Sequence, residues 1–219
     1  MTTDHWCFIF DMDGVIIDTE PLYLELNQGF FRRCGIAVSV EEQMTYAGAS
    51  GHKMWSEIKA KYGLPQNVDW LIDNEKQGIY RMLEQAESIP VVDGVRGLLE
   101  ELRRLPVRIG LASSSPTRTV SLVLERLSLR PYFSTIVGGE EIENGKPEPD
   151  IFLECAKRLE TPPHHSVVLE DSVNGVRAGR AAGMKVVAFQ NPNSGPQDLA
   201  GADLVVDSLG ADVVEFVRR

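Results

Sequence analysis

DMDGVIID, residues 11–18, follows directly on the apolar run Trp6, Cys7, Phe8, Ile9, Phe10. A short apolar run that stops in two carboxylates and a glycine predicts a buried strand delivering acid groups at its carboxyl end, where open α/β sheets carry their chemistry. Asp11 and Asp13 would point to opposite sides of a continuing strand, but Gly14 signals that the backbone turns there, so both can face one pocket. One carboxylate can then attack phosphorus or carbon while its neighbour, in different surroundings, donates and accepts protons. Taken alone, the pair fits equally well a turn whose aspartates hydrogen-bond their own backbone.

Outward from this stretch the pattern becomes helical. Leu22, Leu26 and Phe30 recur at four-residue spacing up to Gly35; Trp55, Ile58 and Tyr62 make a second amphipathic piece before Gly63, and Ile79, Met82 and Leu83 a third. From Pro90 the period changes. A helix with Leu98, Leu99, Leu102 and Leu105 leads to a strand at Val107–Ala112, and further strands are expected at Thr135–Val137, Val167–Glu170, Val186–Phe189 and Leu204–Val206, with helices between them. Such alternation implies right-handed βαβ units. The expected fold is α/β: a doubly wound, mostly parallel, Rossmann-like core formed by residues 1–18 and 89–219, interrupted by an all-helical cap at residues 19–88.

The chain has 219 residues, 32 of them acidic and 22 basic, for a net charge of -10. No long Lys/Arg cluster supplies attraction to a phosphate backbone, so no nucleic-acid partner is expected; a small phosphate ester stays open, because local cations can override the global field. The three cysteines, Cys7, Cys34 and Cys155, are widely spaced in apolar contexts and read as buried thiols of a reducing compartment. With no signal-peptide pattern and no run long enough for a membrane span, a cytoplasmic protein with no membrane partner is expected. Oligomeric state has no readable signal.

Three more segments carry chemistry-bearing residues to strand ends. Ser113 opens the run Ser113, Ser114, Ser115, Pro116, where a hydroxyl can hold a phosphoryl oxygen or simply cap the following helix. Lys146 stands in GKPEPD, residues 145–150, fixed between a glycine and a proline; it can neutralise a transferring phosphoryl group or belong to a surface loop. Glu170 and Asp171, with Ser172 and Asn174 just beyond, suit a hard oxygen-liganded cation such as Mg²⁺, or an N-cap. The conjunction decides among these alternatives: in a parallel sheet the carboxyl ends lie along one edge, so carboxylate nucleophile, hydroxyl, lysine and metal carboxylates converge on one crevice.

In this combination, DMDGVIID, LASSS at 111–115, GKPEPD and LEDSVNG at 169–175, the chain resembles the haloacid dehalogenase superfamily over nearly its whole length, specifically the phosphatase and phosphomutase branch with a helical cap. The resemblance implies that Asp11 forms an aspartyl-phosphate, that Asp13 is the general acid and base, and that Ser113 and Lys146 bind the phosphoryl group, with Gly14 and Ser114 as adjoining substrate contacts. It implies Mg²⁺ held by Asp11, the backbone carbonyl of Asp13, and Asp171, with Glu170 in or near the metal shell. The cap would close over the site on hinges near Ile17 and Pro90. The expected activity is hydrolysis of a small phosphorylated metabolite, a sugar phosphate above all.

The founding dehalogenases of the superfamily lack the second aspartate and use no Mg²⁺, so Asp13 with Glu170 and Asp171 argues against carbon–halogen cleavage. The competing activity is that of β-phosphoglucomutase. That mutase has a histidine five residues after the last aspartate of the first loop, where Tyr23 stands here. Its cap loop carries Lys and Arg around a glycine; the similar loop here reads Ala47, Gly48, Ala49, Ser50, Gly51, with His52 and Lys53 following off register. Those two are the candidate substrate contacts from the cap, or else part of a solvated loop. A phosphorylation-controlled receiver-like module shares the acid pair, hydroxyl, lysine and Mg²⁺, but is near half this length and has no helical insert.

Overall fold

The apolar run at the start of the chain forms a strand because it can be buried on both faces. Its side chains alternate: Phe8 and Phe10 enter one hydrophobic cluster, Cys7 and Ile9 another. The computed structural model describes residues 5–46, 49–195 and 197–218, so Ala47 and Gly48 of the cap loop lie outside the described residues. Six strands, β1 (Trp6–Phe10), β2 (Val107–Ser113), β3 (Thr135–Gly138), β4 (Ser166–Glu170), β5 (Lys185–Phe189) and β6 (Leu204–Val206), form one all-parallel sheet in the order β3-β2-β1-β4-β5-β6. β1 is central, and Phe10 pairs with Leu111 on one side and Leu169 on the other. That register sets the carboxyl ends of β1, β2 and β4 side by side at the point where the strand order reverses, the usual crevice of a doubly wound sheet.

Between β1 and the rest of the sheet stand four helices, α1 (Glu20–Arg33), α2 (Val40–Met44), α3 (Gly51–Tyr62) and α4 (Val68–Gln85). They enclose a separate apolar cluster in which Phe30, Phe31, Trp55, Ile58 and Leu71 are buried, with Phe30 and Trp55 edge to face at 5.5 Å. Burial of such a side chain contributes roughly 1.5–3 kcal/mol. Ile79 and Leu83, at the end of α4, join the main sheet cluster instead. The helices α5 (Val95–Leu102), α6 (Thr117–Arg126), α7 (Asp150–Arg158), α8 (Val173–Ala181) and α9 (Ala211–Arg218) accompany the sheet.

The two crossings between the helical block and the sheet run side by side. Ile17 and Val91 form an antiparallel bridge, and Asp18 N–H donates to the Pro90 carbonyl at 2.9 Å. Arg126 of α6 donates to the carbonyls of Leu83 and Ala86 at 2.6 and 2.7 Å, tying the C-terminal end of α4 to the sheet.

Two expectations need correction. Leu105 lies outside its helix, which ends at Leu102, because it precedes Pro106 and that position disfavours helical backbone. Cys34 is half-buried while Cys7 and Cys155 are buried; it follows the last residue of α1, where the chain reverses at Gly35 on the rim of the helical cluster. All three thiols are free. Among the described residues no helix is long and apolar enough to cross a membrane.

Candidate active site

β1 ends by turning on itself. The Met12 carbonyl accepts from the amides of Ile16 and Ile17 at 2.8 and 3.1 Å, and Gly14 N–H donates to the Ile17 carbonyl at 2.8 Å. Gly14 has φ +76°, and a Cβ there would stand 2.0 Å from Asp171 Oδ2, so glycine is demanded by both backbone and contact. Asn191 Nδ2 holds the Gly14 carbonyl at 2.8 Å. The result is that Asp11 and Asp13 enter the same crevice with different partners, and the first is not consumed in a self-bonded turn.

Asp11 belongs to the charged side. Lys146 Nζ lies 2.6 Å from Asp11 Oδ1 and 2.7 Å from Glu170 Oε1, with all three side chains under 10 % exposed. Lys146 is therefore not a surface-loop residue: burial, which would lower its pKa, is overcome by the two carboxylates that hold it raised. Burial raises the Asp11 carboxyl and Glu170 and Asp13 add to the rise, while the Lys146 ammonium 2.6 Å away opposes it and favours the ionised form. Oxygens of Asp11, Glu170 and Asp171 lie within 4.8 Å of one another.

Asp13 belongs to the hydroxyl side. Its Oδ2 accepts from Ser115 Oγ at 2.9 Å and from Ser113 Oγ at 3.3 Å, while Oδ1 is buried without a hydrogen-bond partner. Burial raises its carboxyl, opposed by the hydroxyls of Thr19, Ser115 and Ser113. Ser113 is fully buried, and the crevice wall is made by Ser114 and Ser115. None of the three caps α6; the amide of Thr117 is taken by Glu140 instead, at 2.9 Å. The hydroxyl at the end of β2 thus serves Asp13.

Glu170 and Asp171 divide their work in the same way. Glu170 Oε1 faces Lys146, and Oε2 accepts from the amides of Asp171 and Ser172 at 2.9 Å each. The cap of α8 is Ser172, whose Oγ accepts from Gly175 N–H at 3.0 Å, so Asp171 is left for the crevice. Gly175 is required beside it, because a Cβ there would meet Glu170 Oε1 at 1.7 Å. Asp171 Oδ2 accepts from Ser194 Oγ, and burial, then Glu170 and Asp11, push its carboxyl well above the ordinary range.

These groups form the floor of a crevice of about 480 Å³ whose other wall comes from the helical block. His52 lines it, with its Nδ1 3.4 Å from Ser56 Oγ. Lys53 is exposed and lines a neighbouring depression with Pro147 and Asn174, so the structure separates two side chains that adjacency had grouped. Glu20, Tyr23 and Asn27 face the crevice from α1, and Glu75 from α4. Burial, then Asp13 and Glu75, hold the Tyr23 phenol well above its ordinary range, opposed by Ser115. Sequence reasoning did not assign Ser115, Asn191, Ser194, Asn27 or Glu75. The positions 20, 23 and 27 did carry a usable signal, a polar face at helical spacing; Ser194 and Asn191 sit in an irregular loop and carried none.

The model of the haloacid dehalogenase-like hydrolase family matches residues 8–189. A phosphorylated carbohydrates phosphatase of Thermotoga maritima is 35 % identical over 184 residues, 81 % of each chain. The fructose-1-phosphate phosphatase YqaB of Escherichia coli is 33 % identical over 183 residues, 82 % of this chain and 93 % of its own. Among solved structures, the β-phosphoglucomutase of Clostridium difficile superimposes with a TM-score of 0.79 at 25 % identity, over 98 % of this chain and 100 % of that one.

Proposed function

The chain belongs to the haloacid dehalogenase-like hydrolase family, and we propose that it hydrolyses a small phosphorylated metabolite, a sugar phosphate, through an aspartyl-phosphate formed on Asp11. It is a hydrolase of phosphoric monoesters. The observation that carries the assignment of roles is the different company of the two aspartates: Asp11 on Lys146, Asp13 on the hydroxyls of Ser113 and Ser115.

Lys146 holds Asp11 Oδ1 and leaves the other oxygen for attack on phosphorus. Asp13, whose carboxyl burial raises, serves as the acid and gives a proton to the departing alkoxide from its unpartnered Oδ1. The same carboxylate, now a base, takes a proton from water as that water attacks the phosphoenzyme, returning Asp11 and releasing inorganic phosphate. Lys146 and the crevice-facing Ser114 meet the phosphoryl oxygens beside Gly14, while Ser113 and Ser115 orient Asp13.

The donor set fits a hard divalent cation. Three buried carboxylates converge against a single ammonium, and Gly14 keeps clear the space in front of Asp171. Asp11, Asp171 and the Asp13 carbonyl would hold Mg²⁺, with Glu170 behind them because Lys146 and the amides of Asp171 and Ser172 already occupy its oxygens. When bound, Mg²⁺ cancels the repulsion between an anionic nucleophile and an anionic ester.

Residues 19–88 act as the cap, excluding bulk water, with the paired crossings at Ile17 and Val91 as the hinge. The free thiols suit a reducing cytoplasm, and the charge pattern suits a metabolite in preference to nucleic acid or membrane. Steady release of inorganic phosphate from sugar monophosphates, silenced by a Mg²⁺ chelator and restored by added Mg²⁺, is the expected result. Isomerisation without phosphate release, dependent on a bisphosphate, overturns it in favour of a mutase; activity indifferent to chelator removes the metal role of Asp171.

A further inference from the structure

The cap wall of the crevice carries hydrogen-bonding groups that the hydrolytic steps leave unused. Glu75 is 8 % exposed and lines the crevice; its Oε1 accepts from Asn27 Nδ2 at 2.6 Å and its Oε2 from Trp55 Nε1 at 3.2 Å. Burial raises the Glu75 carboxyl and the N–H donors on its two oxygens, with Lys76, oppose that rise; each oxygen keeps a second lone pair for a ligand. Asn27 itself lines the crevice, and Glu20 stands two turns before it on α1.

Charge decides what such a wall can accept. Among the described residues no arginine lines the crevice, and Lys76, which does, stands beside Glu75 and across from Glu20, whose carboxyl is pushed up to about 7 and carries a partial charge at neutral pH. A substrate whose far end carries a second phosphate or a carboxylate would meet like charge there; one whose far end carries neutral hydroxyls would meet acceptors.

Resting on the phosphatase reading above, we propose that Glu75, oriented by Asn27 and Trp55, determines specificity by accepting hydrogen bonds from the hydroxyls of an uncharged polyol or sugar tail, and that it rejects phosphate esters whose tail ends in a second anion. Glu75 also joins α1, α3 and α4 through its two donors, so loss of stability on its replacement does not report recognition. The informative quantity is the ratio of kcat/KM between a hexitol monophosphate and p-nitrophenyl phosphate, which has no hydroxyl.

With the Mg²⁺-loaded protein, Glu75→Gln is expected to lower that ratio roughly 10- to 100-fold, the worth of a hydrogen bond to a charged group. It is also expected to raise the rate with a sugar bisphosphate relative to the hexitol monophosphate. An equal loss on both monophosphates means a purely structural role and overturns the proposal, as does an unchanged ratio. Where the variant does not fold, the wild type decides: deoxy analogues of the hexitol phosphate should lose about tenfold or more in kcat/KM, and equal rates overturn the proposal. Absence of turnover on every phosphomonoester, p-nitrophenyl phosphate included, brings down the phosphatase reading itself; turnover of p-nitrophenyl phosphate with no preference for hydroxyls brings down only the role of Glu75.

Discussion

The core wall and the cap wall of the crevice are both acidic, yet their carboxylates are held in opposite ways. On the core wall Asp11 and Glu170 share a buried ammonium, and Glu170 also takes two backbone amides at the start of α8. On the cap wall Glu75 is held by neutral donors from two other helices, with the nearest ammonium, Lys76, on the following residue. The first arrangement concentrates charge where charge is transferred. The second presents acceptors and no cluster of cations, which suits the recognition of neutral hydroxyls. The packing repeats the contrast, since the helical block has its own aromatic cluster and the sheet has two continuous ones.

Substitutions on the two walls should therefore separate chemistry from stability. The largest effect is expected at Asp11: Asp11→Asn lowers kcat by roughly 10⁴-fold or more while the thermal unfolding midpoint persists, because the amide keeps the shape and loses the nucleophile. Asp13→Asn should cost about 10²- to 10⁴-fold and leave a trappable phosphoenzyme, since attack by Asp11 survives and proton transfer does not. Substantial turnover by Asp11→Asn in a quantified phosphate-release assay would remove the division of roles.

On the cap side, Trp55 is 1 % exposed among aromatic neighbours, and Trp55→Ala should destabilise by about 3–5 kcal/mol. Hydrogen exchange should show that loss in α1, α3 and α4 before β1 and β4, because Trp55 contributes to no sheet cluster. Uniform loss of protection would mean that the two apolar bodies unfold as one.

The smallest effect concerns pH. Burial, then Asp13, Asp18 and Glu75, push the Glu20 carboxyl up to about 7. The folded state then holds this proton more tightly than the unfolded chain, so the contribution is complete below the unfolded pKa and is lost as pH rises through the folded one. Wild type should lose stability between about pH 4.5 and 7 in a denaturant titration, and Glu20→Gln should flatten that decline. An unchanged slope would place Glu20 in contact with bulk water.

The core wall was far more legible than the cap wall, for a physical reason. Asp11, Glu170 and Asp171 stand at strand ends and Lys146 in the loop between β3 and α7, all marked by apolar runs, glycines or prolines, so local patterning already places them along one edge. Ser113 was found the same way, but its partner was not: the bond to Asp13 spans 100 residues and depends on a rotamer. Asn27 and Glu75 are 48 residues apart on different helices, and a polar residue on an amphipathic helix reads as solvent-facing until the packing of its neighbours is known.

The sequence by itself determined the α/β architecture, the interruption by helices and the candidates for the reacting groups, because hydrophobic period and strand-end residue type are local properties of the chain. Tertiary structure alone decided that Asp11 answers to Lys146 and Asp13 to two serines, that Ser172 caps α8 so that Asp171 need not, and that a buried Glu75 lines the crevice. Each of those is a contact between distant segments, set by how two apolar bodies pack against each other.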